Sequence, residues 1–221
     1  MGISGNLEAR QIMVQQQIRA VSVLDKKILA AIGDIPRELF FDNQLSSVVY
    51  ADAFLPLPLN EKSLPPSLVG RMLQALGCQL NDSVLVIGFG SGYLTACLSK
   101  LCAKVVAIDL HHIMKERASL ALEKLAITNV TLLHADASDI YETIPNTIFD
   151  GAVICGAINK KSIKHFLPLI RLGGTIVLIE GDPEQPIQSL KKLTVTEAGI
   201  NVIETFLCNT RVDFLKMRKA N

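Results

Sequence analysis

The chain lacks the features that mark secreted, membrane-spanning or nucleic-acid-binding proteins. No run approaches the roughly 18 apolar residues a membrane span needs, and the opening MGISGNLEAR has no apolar stretch of signal-peptide length. The expectation is a soluble, unsecreted, cytoplasmic protein with no membrane partner. Neither sign of charge is in excess: 22 Lys and Arg against 21 Asp and Glu leave a formal net charge of +1. The basic residues are scattered apart from a short C-terminal cluster, read as a solvated tail, so no nucleic-acid partner is expected. The five cysteines (Cys78, Cys97, Cys102, Cys155 and Cys208) form no Cys-x-x-Cys pair. They read as reduced core residues, with neither a disulfide nor a metal site expected. Gly2 does not open a myristoylation signal, because position 6 is Asn where that motif wants Ser or Thr. His111 and His112 are adjacent and cannot share one face of a helix or strand, so they read as surface residues at a helix start.

What is present is hydrophobic periodicity. With 49% hydrophobic residues the chain is long enough to bury a sizeable core as a single domain. Leu7, Val14 and Ile18 fall on one helical face behind a candidate Asn6 cap, and Leu24, Ile28, Leu29 and Ile32 predict a second helix ending near Gly33. From residue 83 apolar strands alternate with amphipathic helices: SVLVIGFG, KVVAIDL, VTLLHAD, FDGAVICGA and, after a helix around 160 to 170, GGTIVLIEG. Strands that are apolar on both faces imply a mostly parallel sheet with helices packed on each side, an α/β Rossmann-like fold. Beyond Pro183 the Thr/Val/Phe-rich stretches flanking a Gly-Ile-Asn turn predict antiparallel strands at the sheet edge. The domain therefore divides into N-terminal helices and a loop (1–80), a nucleotide-binding core (81–182) and a β extension (183–221).

Gly88-Phe89-Gly90-Ser91-Gly92 lies where the first parallel strand hands over to its helix, and glycines there let the chain turn sharply and a ligand approach the backbone. The third glycine follows the second by two residues, not the three of the dinucleotide fingerprint, which disfavours a nicotinamide-dependent oxidoreductase. Asp109 ends the second strand, where a carboxylate can accept hydrogen bonds from both ribose hydroxyls of an adenosine. Asp136 ends the third, where it could meet an adenine amino group. Each could instead cap the following helix. The three features at consecutive strand ends predict an S-adenosylmethionine pocket, with Val86, Gly88, Phe89, Gly90, Ser91, Gly92, Asp109, Leu110, Asp136 and Ala137 as its candidate residues.

Read whole, the chain resembles the protein-L-isoaspartate O-methyltransferase family. The resemblance is carried by MVQQQIRAVSVLDKKILAAIGDIPRELFF (13–41), YADAFLPL (50–57), VLVIGFGSGY, LIRLGGTIVLIEG and TRVDFLKM, in order, from about residue 7 to 216. It implies a Rossmann-like S-adenosylmethionine-dependent methyltransferase. The reaction it implies is methylation of the free carboxylate of isoaspartyl residues in damaged proteins, the first step of protein repair, with such a protein or peptide as partner. The substrate would meet the loop LPLPLNEKSLPP: Asp52, Leu55, Pro56, Lys62 and Leu64 as binding residues, and Ser63 as the candidate catalytic hydroxyl.

The sequence departs from the family pattern at that loop. Lys62 and Leu64 stand where the family places Thr and Ser, with Ser63 one position away. In the glycine turn Val86 replaces an acidic residue and Phe89 a Thr. Two readings follow: an active methyltransferase with altered clamp residues, or a relative that keeps the fold and adenosine binding but serves a binding or regulatory role.

Overall fold

The computed structural model describes residues 3–185, 187–208 and 211–218, and of residues 3–5 and 203–208 the backbone alone. Its centre is a seven-stranded sheet in the order β3-β2-β1-β4-β5-β6-β7. The strands are β1 (Ser83–Ile87), β2 (Lys104–Asp109), β3 (Val130–His134), β4 (Phe149–Ile158), β5 (Ile170–Glu180), β6 (Gln188–Thr196) and β7 (Gly199–Cys208). The first five run parallel, and β6 and β7 extend the β5 edge antiparallel, as the residue pattern predicts. The β6–β7 reversal comes one step earlier than expected. Thr196 pairs with Gly199 across Glu197 and Ala198, and Ile200 and Asn201 already lie in the strand.

Alternation along β1 sets the two layers. Val84 and Val86 face one core cluster, shared with Met72, Leu73 and Met114, while Leu85 and Ile87 face the other, shared with Ile140, Phe149 and Phe166. All four β1 side chains are essentially fully buried, each contributing roughly 1.5–3 kcal/mol. The chain winds outward from β1 through β2 to β3, then returns to add β4 and β5 on the other side. The reversal leaves a crevice at the carboxyl ends of β1 and β4, where open α/β sheets take ligands.

Helix α1 (Ile3–Ile12) passes into a wider π-helical stretch, Met13–Ile18, that buries Met13, Val14 and Ile18. Asn6 lies inside α1 and caps nothing, and Leu7 remains half exposed. Helix α2 (Lys26–Asp34) starts at Asp25, whose carboxylate accepts from Lys27 N at 2.8 Å; Leu24 precedes it and is exposed. Helix α3 (Pro66–Leu76) has proline in its first turn, where no N–H is needed, and ends at left-handed Gly77. Helices α4 (Tyr93–Leu98) and α5 (His112–Lys124) follow β1 and β2, and a single turn, α6 (Ile140–Thr143), follows β3. The helix expected around 160 to 170 is two short 3₁₀ turns, Ser162–His165 and Leu167–Leu169. Pro168 lacks an N–H and disfavours helical conformation in the residue before it, so the segment breaks there. Cys97, Cys102 and Cys155 are buried free thiols and Cys78 is a partly buried one; the Cys208 side chain lies outside the described residues. No helix among the described residues is long and apolar enough to cross a membrane.

Candidate active site

The glycine turn is built by backbone geometry. Gly88, Gly90 and Gly92 have φ of 71°, 54° and 86°, conformations that a side chain penalises. The Gly88 amide donates to Ile108 O at 2.8 Å, joining the turn to β2. A Cβ on Gly92 would lie 2.7 Å from Ala118 Cβ, so this glycine lets α5 pack against the turn. Gly88, Phe89, Gly90 and Ser91 line a cavity of about 110 Å³, whereas Gly92 lies behind it. Val86 is fully buried within β1, opposite Ala107 and Val153, and does not reach the cavity.

Asp109 lines the cavity and is 7% exposed. One carboxylate oxygen accepts from Gly90 N and the other from His111 N, each at 2.9 Å. Burial raises its pKa, and the two amides offset part of that rise. Each oxygen keeps a lone pair for another donor, so the group can still receive hydroxyls. Leu110 and Ala137 line the same end, as do Met114 and Ala135. Asp136 lies off the cavity lining. Its Oδ1 accepts from Ser138 N at 2.8 Å and Ser138 Oγ at 2.7 Å, and its Oδ2 accepts from Arg218 N at 2.8 Å. Burial alone would raise the Asp136 pKa, but the Ser138 and Arg218 contacts outweigh it and leave the net shift downward. Of its two candidate roles, the structure has Asp136 capping its own turn and tethering the C-terminal segment.

The substrate loop is a tight hairpin. Leu57 N donates to Glu61 O at 2.8 Å and Ser63 N to Leu55 O at 2.9 Å, while Leu59 and Asn60 turn with φ of 60° and 58°. The strained tip is solvent-exposed, and the arm after it delivers Glu61, Lys62, Ser63 and Leu64 to the cavity. Ser63 is 3% exposed, and its Oγ accepts from Leu55 N at 3.1 Å and from Arg37 Nη2 at 3.4 Å. Its own proton has no acceptor among the described residues and is available to a ligand. Lys62 is half exposed and pairs with Asp213 at 3.4 Å. Asp52 accepts from Ser67 N at 2.9 Å at the start of α3, Leu55 is buried away from the cavity and Pro56 is exposed beside the hairpin. These three candidates shape the loop and lie outside the lining.

The C-terminal segment closes the site. Phe214 pairs with Ala157 of β4; Ala157 N donates to Asp213 O at 3.0 Å and Leu215 N to Ala157 O at 2.8 Å. A Cβ on Gly156 would stand 2.8 Å from the Leu215 backbone, so a glycine is required for the segment to lie there. Glu61 ties loop to tail through Lys216, and its Oε1 also lies 3.2 Å from His111 Nε2. Sequence reasoning missed Arg37, Glu61 and His111 as cavity residues; His111, expected at the surface, lines the site, whereas His112 is exposed as expected. Cys155 also lines the cavity, but burial pushes its thiol up to about 12, so it supplies no thiolate at neutral pH. Among the described residues no group of His, Cys, Asp and Glu could hold a metal ion.

A family model described as protein-L-isoaspartate(D-aspartate) O-methyltransferase matches residues 8–210. A protein-L-isoaspartate O-methyltransferase of Jannaschia sp. is 32% identical over 195 residues, covering 88% of this chain and 86% of that one. The enzyme of Herpetosiphon aurantiacus is 30% identical over 204 residues, covering 92% and 88%. Among solved structures, a Plasmodium falciparum protein described as a putative protein-L-isoaspartate O-methyltransferase, in complex with S-adenosyl-L-homocysteine, superposes with TM-score 0.74 at 15% identity. That match covers 94% of this chain and 98% of that one. Another structure described as a protein-L-isoaspartate O-methyltransferase gives 0.77 at 21% identity, covering 93% and 65%. At these identities the superpositions speak to the fold, and the sequence matches speak to descent: the chain belongs to the protein-L-isoaspartate(D-aspartate) O-methyltransferase family.

Proposed function

We propose that the protein transfers the methyl group of S-adenosylmethionine to the free carboxylate of isoaspartyl residues in damaged proteins or peptides. The observation that carries this reading is the family match over residues 8–210, which takes in the glycine turn and the substrate hairpin together. The site's residues fit an adenosyl ligand. Gly88 and Gly90 present bare backbone to the cavity, Asp109 keeps free lone pairs beside it, and Leu110, Met114 and Ala137 supply an apolar wall.

Bound S-adenosylmethionine supplies an electrophilic methyl group on a sulfonium. The isoaspartyl oxygen forms the O–CH3 bond as the C–S bond breaks, leaving the methyl ester and S-adenosylhomocysteine, with no proton transferred. A carboxylate with a pKa near 4 is already ionised at neutral pH, so the protein need supply no general base. The work left to its residues is alignment and exclusion of water. The Ser63 hydroxyl is free to donate to a carboxylate oxygen, and the hairpin with residues 212–216 covers the mouth. Release of S-adenosylhomocysteine with an isoaspartyl peptide, against the matched aspartyl peptide, tests the reading. Release is expected with the first alone, and equal release with both would contradict it.

A further inference from the structure

Arg37 is among the largest side chains that are fully buried, at 1% exposure, and no carboxylate among the described residues pairs with it. Its partners are neutral. Nε donates to Val49 O at 2.8 Å, and Nη2 donates to Leu64 O at 3.1 Å and to Ser63 Oγ at 3.4 Å. The Phe41 and Tyr93 rings lie 4.7 and 4.8 Å from the guanidinium carbon. Burial lowers its pKa, yet a guanidinium starts so high that it stays charged at neutral pH. A buried cation without a counter-charge is costly and calls for an anion.

The free edge of that cation points to where the anion would go. Three hydrogen bonds occupy Nε and Nη2, and Nη1 has no partner among the described residues. Arg37 also lines the cavity beside Ser63 and Leu64. The acidic Asp109 and Glu61 both contact His111, through its amide and its ring, while Arg37 reaches the donor-capable Ser63 hydroxyl beside the Phe41 and Tyr93 rings. The two lysines that line the cavity, Lys62 and Lys216, are half exposed and engaged with Asp213 and Glu61.

We propose that Arg37 anchors a carboxylate in the cavity, received by its Nη1 edge beside the Ser63 hydroxyl. Two carboxylates fit this chemistry: that of the isoaspartyl substrate and that of the amino-acid end of the cofactor. The inference rests on the methyltransferase reading above. A planar guanidinium held by three hydrogen bonds fixes the orientation of either carboxylate, which a mobile lysine would not do.

Two matched ligand pairs test the role and separate the sources, read by calorimetric titration of wild type and Arg37→Gln. S-adenosylhomocysteine is compared with 5′-methylthioadenosine, which lacks the amino-acid end. An isoaspartyl peptide is compared with its uncharged carboxamide analogue on the S-adenosylhomocysteine-loaded protein. If the cofactor carboxylate is the one held, Arg37→Gln weakens S-adenosylhomocysteine about tenfold or more and leaves methylthioadenosine unchanged. If the substrate carboxylate is held, the variant keeps cofactor affinity and loses a preference of about tenfold for the charged peptide. Parallel weakening within both pairs, or no change in either, would overturn the assignment, since a merely structural arginine cannot distinguish the members of a pair. Should Arg37→Gln fail to fold, Arg37→Lys keeps the charge and alkyl stem but loses the fork; the same pairs then shift by a smaller factor, and unaltered discrimination in both overturns the proposal. A wild type that binds isoaspartyl and aspartyl peptides alike contradicts the isoaspartyl reading, while the thioadenosine pair still reports on Arg37.

Discussion

The two walls of the cavity are held by different physics. On the β1–β2 side the turn is fixed by glycines in left-handed conformations and by amides of Gly90 and His111 donating to Asp109. On the opposite side the hairpin, held by Arg37, and the C-terminal segment, paired with Ala157, are joined to each other by side chains: Lys62 to Asp213 and Glu61 to Lys216. Backbone geometry at the packed end of a strand has few alternatives, whereas partly exposed ion pairs contribute little each and are screened by salt. The first wall is suited to hold a ligand in a fixed place. The junction between hairpin and C-terminal segment is the one suited to part as ligands enter and leave.

The largest effect that would break this contrast lies on the rigid side. Gly92→Val forces a β-branched residue to φ of 86° and drives it into Ala118; a loss of about 3 kcal/mol in urea unfolding is expected. Next, Asp109→Ala removes the acceptor shared by two amides. S-adenosylmethionine affinity should fall about tenfold or more by calorimetry, and unchanged affinity would displace the ribose from this carboxylate. On the flexible side, Lys216→Ala should change stability by less than about 1 kcal/mol. It should nonetheless speed S-adenosylhomocysteine dissociation in stopped flow, more so at low salt, where the lost pair is strongest.

The smallest effect sharpens the contrast through two buried carboxylates with opposite shifts. The Asp136 pKa is lowered on folding, so its stabilisation is present above the unfolded carboxylate pKa of about 3.9 and is lost as pH falls through the folded value. The Asp109 pKa is raised, so the ionised group costs stability at neutral pH, and acidification relieves that cost. Asp136→Asn should therefore flatten the acid limb of a stability–pH profile, while Asp109→Asn should steepen it.

The sheet was legible because its strands are continuous apolar runs and its glycine turn sits at a strand end. The edge strands were legible from their Thr and Val content. The helix expected around 160 to 170 was misread because apolar spacing persists across Pro168 while hydrogen bonding does not. In the site, spacing together with strand-end position pointed to Gly88, Phe89, Gly90, Ser91 and Asp109, which line the cavity. Asp136 could not be placed that way, because the direction of a strand-end carboxylate depends on the turn after it and on Arg218, 82 residues away. Arg37, Glu61 and His111 were missed for a related reason. Their signal is an arginine amid apolar residues, a polar hairpin arm and a helix-start histidine, each ordinary until the tertiary fold brings them to one cavity.

The central claim is that this cavity joins a methyl donor to an isoaspartyl carboxylate despite a hairpin carrying Lys62 and Leu64 in place of the family's hydroxyls. The most direct measurement is transfer of tritiated methyl from S-adenosylmethionine to an isoaspartyl peptide and to its aspartyl counterpart, with base-labile ester as the readout. Label confined to the isoaspartyl peptide is the predicted result. Equal background labelling of both, in a protein that binds S-adenosylmethionine, would contradict it.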